Sequence, residues 1–364
     1  MPESTGAAVP PLLLLEDKTL NLESFGWNSH FARSFARQAI AGQRPGRIAA
    51  FHGSECEVWT EAGSVKAVLA GTLRNLPGGP PVTGDWALLR ADAEVVCGIL
   101  ERRTVLARAV DGQGAPQALA SNVDVLLIVT GLDGDFSPRR IERYLVLAAE
   151  SGIDPVVVLS KTDLCDTRRL EDAIGLVREA AAGVPVIPWS AFSGQDTQVI
   201  SGCVGAGQTA AVAGSSGAGK STLINRLLGE ERQETREVRP DDSCGRHTTT
   251  RRELIALPQG WVIADLPGLR SVGVWASSEA VATVFSEVEE LARKCRYRDC
   301  THMGEPGCVV RAAVEAGDLT ASRAASFGKL SREAGFTKEA KKRWEKTIAR
   351  AIRNRTKMGF DQKR

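Results

Sequence analysis

Between about residue 115 and residue 275 the chain alternates continuous apolar runs with helical patterns, and this alternation limits the fold more than any other feature. The runs are VDVLLIVT, PVVVLS, VPVIPW, TAAVAG and WVIADL, with PRRIERYLVLAAESG and RRLEDAIGLVREAAAG reading as helices between them. A strand that is apolar on both faces needs cover above and below, so the pattern predicts a parallel sheet with helices on both sides. In such a sheet the loops leaving the carboxyl ends of the strands share one edge, where α/β proteins bind ligands.

One of those loops is GSSGAGKST at 214–222, which follows TAAVA and precedes the helical LINRLLG. That strand–loop–helix context is the one a phosphate-binding loop requires. Gly214, Ser215, Ser216, Gly217, Ala218, Gly219 and Thr222 would turn backbone N–H groups onto the phosphates, and the helix N-terminus adds a favourable dipole. Lys220 would reach the β- and γ-phosphates as a catalytic cation, and Ser221 would give its hydroxyl to Mg²⁺. The plain alternative is a glycine-rich turn with a chance Lys-Ser pair.

A phosphate loop does not choose between bases. SKTD, Ser160, Lys161, Thr162 and Asp163, stands at the end of PVVVL. A carboxylate at Asp163 accepts from the guanine N1–H and exocyclic N2 amine, whereas adenine offers no such donors and would leave the acid unpaired. Lys161 is expected to lie along the base and brace the phosphate loop. Taken alone, K-x-D after a strand is equally a solvated loop, but WSAFSG at 189–194 supplies Ser190 and an Ala191 N–H for the guanine O6. DLPG at 265–268 puts Asp265 on a magnesium-bound water and the Gly268 N–H near the γ-phosphate. HTTT at 247–250 adds Thr249 or Thr250 to the same metal.

The order along the chain is base, base, phosphate, threonine, DxxG, a rotation of the usual phosphate, threonine, DxxG, base, base. Because every loop sits at a strand's carboxyl end, joining the old termini and cutting ahead of the base-reading strand leaves the site intact. The residue after DxxG, where many GTPases place a water-orienting Gln, is Leu269, so slow intrinsic turnover is expected. His247 is the nearest polar candidate for orienting the water; the alternative is that it only caps or packs its loop.

Elsewhere the chain is mixed. Residues 46–108 hold five short β-rich runs, RIAAFH, CEVWT, SVKAVLA, DWALLR and VVCGILERRTVLA, between Gly/Pro turns, a pattern for a small Greek-key barrel of the oligonucleotide-binding type. It serves RNA binding or protein contact. Ahead of it, FGWNSHFARSFARQ suggests one short amphipathic helix. Cys295, Cys300, His302 and Cys308 fall within fourteen residues as C-x₄-C-x-H-x₅-C, three thiolates and an imidazole suited to one structural Zn²⁺. A cysteine group without metal is the alternative. Arg293, Lys294, Arg296 and Arg298 around the first ligand suit either phosphate contact or a solvated rim.

The other five cysteines are scattered singly and read as reduced thiols. Hydrophobic residues make up 43% and charged residues 25% of the 364, a globular balance, and no apolar run reaches membrane-spanning length, so a cytoplasmic protein is expected. Residues 320–364 carry 14 Lys or Arg against four Asp or Glu, with Ala340, Trp344, Ile348 and Ile352 as an apolar stripe. The tail reads either as a polyanion contact or as a solvated helix face.

The rotated order, GSSGAGKST, GRHTTT, DLPG, the barrel ahead and the Cys/His cluster behind together resemble the family of circularly permuted, ribosome small-subunit-dependent GTPases over about residues 46–320. The resemblance implies an N-terminal OB-type β-barrel, a central permuted α/β P-loop GTPase domain and a C-terminal zinc-binding helical domain. The expected boundaries are an extension at 1–45, barrel at 46–112, GTPase domain at 113–278 and zinc and basic helical domain at 279–364. It further implies GTP and GDP as ligands, and the small ribosomal subunit with its rRNA as partner. Late maturation of that subunit, particle-stimulated hydrolysis and a water-orienting His247 follow from the same likeness. A monomer without membrane contact is expected. Ser160 stands where the family's tetrad has Asn, and the shorter side chain predicts a weaker link to the phosphate loop. An RNA-binding assembly scaffold with little hydrolysis and a permuted GTPase of large-subunit assembly are the alternatives.

Overall fold

The computed structural model describes residues 21–75, 79–90, 92, 94–109, 116–192, 196–229, 252–266, 269 and 275–334. His247, Thr249, Thr250, Gly268 and the stripe from Ala340 to Ile352 lie outside them. The amphipathic run near the start forms α1 (Ser29–Gln38), capped by the Asn28 side chain, which accepts from the His30 N–H at 2.9 Å. Its Phe31 packs on Trp86 of the barrel with ring centroids 5.6 Å apart.

The barrel comprises β1 (Gln43–His52), β2 (Glu55–Thr60), β3 (Gly63–Leu69), β4 (Trp86–Arg90) and β5 (Val95–Ile99). The strand order is β1-β2-β3-β5-β4, and β4 returns to pair with β1, so the sheet closes on itself. Closure removes the open edges that a small sheet would otherwise expose. Ile48, Cys56, Val58, Ala67, Leu89 and Val96 fill the interior.

The run VVCGILERRTVLA does not form one strand. It breaks after Ile99, and β6 (Val105–Arg108) pairs antiparallel with β7 (Gln117–Ser121). Past the break Arg102 turns back to Asp85, with two N···O distances of 2.7 Å. Asp85 is fully buried and also accepts from the Ser121 hydroxyl at 2.6 Å and the Val82 N–H at 2.8 Å, so the buried charge is fully hydrogen-bonded.

The central sheet is built from β8 (Val125–Gly131), β9 (Asp154–Ser160), β10 (Val186–Pro188), β11 (Thr209–Ala213), β12 (Glu253–Ala256) and β13 (Val262–Asp265). Its order is β10-β9-β8-β11-β13-β12, parallel throughout except for β12. Helices α2 (Pro138–Ser151), α3 (Thr167–Ala180), α4 (Asp196–Gly202) and α5 (Lys220–Leu228) complete the layers, and buried apolar clusters line both faces. Antiparallel β12 is absent from the pattern of apolar runs. It pairs with β1 through Ala50 and Glu253, so barrel and central sheet form one eleven-stranded surface.

The run SEAVATVFSEVEELARK, which reads as one helix, is α6 (Ser278–Val284) and α7 (Ser286–Ala292), broken at fully buried Phe285. After the Cys/His loop come α8 (Val309–Ala316) and a helix through 321–334. Phe285, Val288, Val310, Phe327 and Leu330 form this module's core, and Val146 of α2 belongs to the same cluster. Among the described residues, no helix is long and apolar enough to cross a membrane.

Candidate functional site

The loops singled out from sequence leave β9, β10, β11 and β13 at their carboxyl ends. Gly214 opens the phosphate loop at φ +149°, and a Cβ there would stand 2.2 Å from the Val129 carbonyl oxygen, so only glycine fits between β11 and its neighbour β8. Gly219, left-handed at φ +89°, caps α5. Lys220 opens that helix, and its ammonium folds back over the loop, donating to the carbonyl of Gly214 at 2.9 Å and to that of Ser215.

Ser160 is buried at the end of β9 and donates from its hydroxyl to the Ala218 carbonyl at 2.6 Å. The link between base loop and phosphate loop is therefore made despite the shorter side chain. The 2.6 Å distance shows that close approach of the two loops makes up for the shorter side chain. Lys161, at φ +60°, pairs with Asp133 in the loop after β8. It thus reaches the loop of the neighbouring strand, whereas the sequence suggested the phosphate loop.

Asp163 takes a 2.7 Å hydrogen bond from the Ser190 hydroxyl, and Ser190 in turn accepts from the Phe192 N–H at 3.2 Å. The loops after β9 and β10 are thereby tied together at Asp163. Asp265 ends β13, half-buried, beside the phosphate-loop strand. Leu269 is buried in the core, and its carbonyl accepts from the Tyr144 hydroxyl at 2.6 Å.

Two carboxylates escaped the sequence reading. Asp133 and Asp135 both lie in LDGD, directly after the fully buried β8. Asp135 accepts from the Ser215 hydroxyl and pairs with Arg140 of α2 at 2.8 Å. Burial works against ionisation of Asp133, but the hydrogen bonds from Lys161 and the Asp135 N–H outweigh it and hold its carboxyl below the usual value. Their position at the end of a central strand was the available signal.

The second centre gathers Cys295, Cys300, His302 and Cys308, whose ligand atoms lie within 4.8 Å of one another. His302 Nδ1 is 3.7 Å from the Cys295 sulfur and 3.6 Å from that of Cys308. Ligands on one tetrahedral zinc with bonds of about 2.1–2.3 Å stand roughly 3.5–3.8 Å apart, so the donor set and its spacing fit a metal. Burial lowers the His302 pKa, favouring the neutral imidazole that ligates. The Glu305 carboxylate accepts the N–H groups of Thr301, Met303 and Gly304 and so fixes the ligand-bearing turn. Of the nearby cations, Arg293 pairs with Glu289 at 3.3 Å, and Arg296 lies over the Tyr297 ring.

Residues 99–275 match the family described as RsgA GTPase. The relative named small ribosomal subunit biogenesis GTPase RsgA, from Opitutus terrae, is 42% identical over 362 residues, covering 95% of this chain and 97% of its own. The chain belongs to the RsgA family. It is therefore a GTP hydrolase, with its loops in the permuted order read above. Among solved structures, YjeQ from Thermotoga maritima is 26% identical with a TM-score of 0.59, covering 80% of this chain and 98% of its own. YloQ, titled a circularly permuted GTPase, shares the fold at 24% identity and a TM-score of 0.58, covering 82% and 97%. The RsgA assignment accounts for barrel, permuted sheet and Cys/His module together.

Proposed function

We propose that this chain hydrolyses GTP to GDP and phosphate on the small ribosomal subunit, during its late maturation, and that the particle stimulates the turnover. One observation carries the reading: Ser160, Asp163, Ser190 and the 214–222 loop are hydrogen-bonded together at one sheet edge, in a chain related along nearly its whole length to a small-subunit biogenesis GTPase.

In this reading Asp163 reads the guanine N1–H and N2 amine, and the Ala191 N–H donates to O6. The N–H groups of 214–222, with Lys220, hold the phosphates. Magnesium, when bound, supplies positive charge to the β- and γ-phosphate oxygens. Ser221 and Asp265, with Thr249 or Thr250, would hold it. Leu269 offers no polar side chain to the water, so His247 takes the orienting role and Gly268 the γ-phosphate contact. Zinc on Cys295, Cys300, His302 and Cys308 is structural, since four protein ligands leave no position for a reacting water. The barrel and the basic 320–364 segment grip rRNA through phosphate contacts, which makes binding salt-sensitive.

The test is GTP hydrolysis measured alone, with purified small subunits and with large subunits. Stimulation by small subunits alone is expected; none, or stimulation by large subunits only, would overturn the reading. His247→Ala should keep GDP affinity and lose most of the stimulated rate. An unchanged rate would return His247 to a packing role.

A further inference from the structure

Helix α2 lies between the two centres. Glu142 and Val146, one turn apart, face the C-terminal module: Glu142 bonds Arg323 at 3.0 Å, and Val146 belongs to the module's core. Tyr144, about 200° round the helix from Glu142, faces the nucleotide loops and is buried. Its hydroxyl donates to the Leu269 carbonyl at 2.6 Å, and the backbone N–H of Gly214 points at the same oxygen. Gly214 is the first residue of the phosphate loop; Leu269 is the first residue after DLPG. One side-chain oxygen thus joins two loops that have no neighbouring positions in sequence.

We propose that Tyr144 is a positioning residue for GTP hydrolysis, clamping the segment that follows Asp265 and Gly268 onto the start of the phosphate loop. The proposal rests on the GTPase reading above and deepens it. Hydrolysis depends on the DxxG backbone standing at a fixed distance from phosphates held by 214–222, and displacements of about 1 Å in such arrangements cost on the order of a hundredfold in rate. With its hydroxyl the ring also gives α2 a direct hold on Leu269, the residue after DLPG, from the helix whose other face meets the C-terminal module.

Tyr144→Phe keeps the buried ring and removes only the hydroxyl. Single-turnover and steady-state GTP hydrolysis, with and without small subunits, should show kcat falling about tenfold, while KM and the Kd for a fluorescent GDP change less than twofold, as expected for an interaction spent on the transition state. Genetically encoded 4-aminophenylalanine at 144, which restores a para N–H donor, should return kcat to within about threefold of the parent. An unchanged kcat in the Phe variant, equal losses of kcat and GDP affinity, or no rescue by the amino variant would each overturn the proposal. Failure of the function reading looks different: the parent chain would then hydrolyse GTP without responding to small subunits, and the clamp would still be read on its intrinsic rate.

Discussion

At the scale of single residues, Asp163 is the proposed base reader. The Ser190 hydroxyl holds one carboxylate oxygen at 2.7 Å, which in the proposed reading would set the plane in which the guanine donors are met. A hydrogen bond to a charged group is worth about 1.5–3 kcal/mol, so Asp163→Asn is expected to weaken GDP binding by roughly 10- to 150-fold. The same change should favour xanthosine diphosphate, whose 2-carbonyl accepts from an amide; competition against a fluorescent nucleotide measures both, and unaltered GDP affinity would contradict the assignment. Asp133 sets a pH dependence. Its folded pKa is held below the unfolded one, so the stability it contributes is present above the unfolded value and lost as pH falls through the folded value. The Lys161 pairing should therefore be intact at neutral pH and loosen only below about pH 4. Asp133→Asn should remove that acid step from a pH titration of GDP affinity and weaken binding several-fold at neutral pH. Residue type singled out Asp163 in the sequence, because a carboxylate suits the guanine donors. Asp133 was not legible, because its partner Lys161 is 28 residues away and an aspartate in a Gly-rich turn is otherwise ordinary.

At the scale of elements, the Cys/His module shows local sequence acting through chemistry. Cys308 belongs to the Cys/His cluster and also caps α8, its sulfur accepting from the Arg311 N–H at 3.4 Å, so a metal held there would couple to the start of the helix. Cys300→Ser is expected to lower bound zinc well below one per chain by elemental analysis, and to raise hydrogen exchange across 278–334. GDP affinity should stay within about threefold, because metal binding is folding energy for the module alone. Zinc-free yet protected helices would argue against this. Ligand spacing was readable in the chain, but the break between α6 and α7 was not. Both halves keep helical periodicity, and the interruption comes from Phe285 entering a core partly supplied by other elements, with the Arg323 guanidinium 4.1 Å from its ring. Four-residue β12 was missed for a similar reason: it is too short to show a period, and its identity rests on pairing with β13 and β1.

At the scale of the whole molecule, Arg323 joins the C-terminal module to the GTPase domain. It bonds Glu142 of α2 at 3.0 Å, Glu287 of α7 at 2.8 Å and the carbonyl oxygens of Ala180 and Val284. Removing it leaves Glu142 buried with its charge uncompensated, so Arg323→Ala should cost about 3–5 kcal/mol in urea unfolding. Arg323→Met with Glu142→Leu should recover much of that loss; a single variant as stable as the parent would show the pair to be unimportant. Sequence by itself determined the parallel sheet, singled out the loops at its strand ends and marked the Cys/His cluster, because each depends on the spacing of residues within one strand, loop or helix. Tertiary structure alone decided barrel closure through β1 and β4, the bridge through β12, the Ser160 link to Ala218 across 58 residues and the Tyr144 link to Leu269 across 125. Contacts between segments so far apart leave no period in the chain; they exist only where packing brings one particular donor to one particular acceptor.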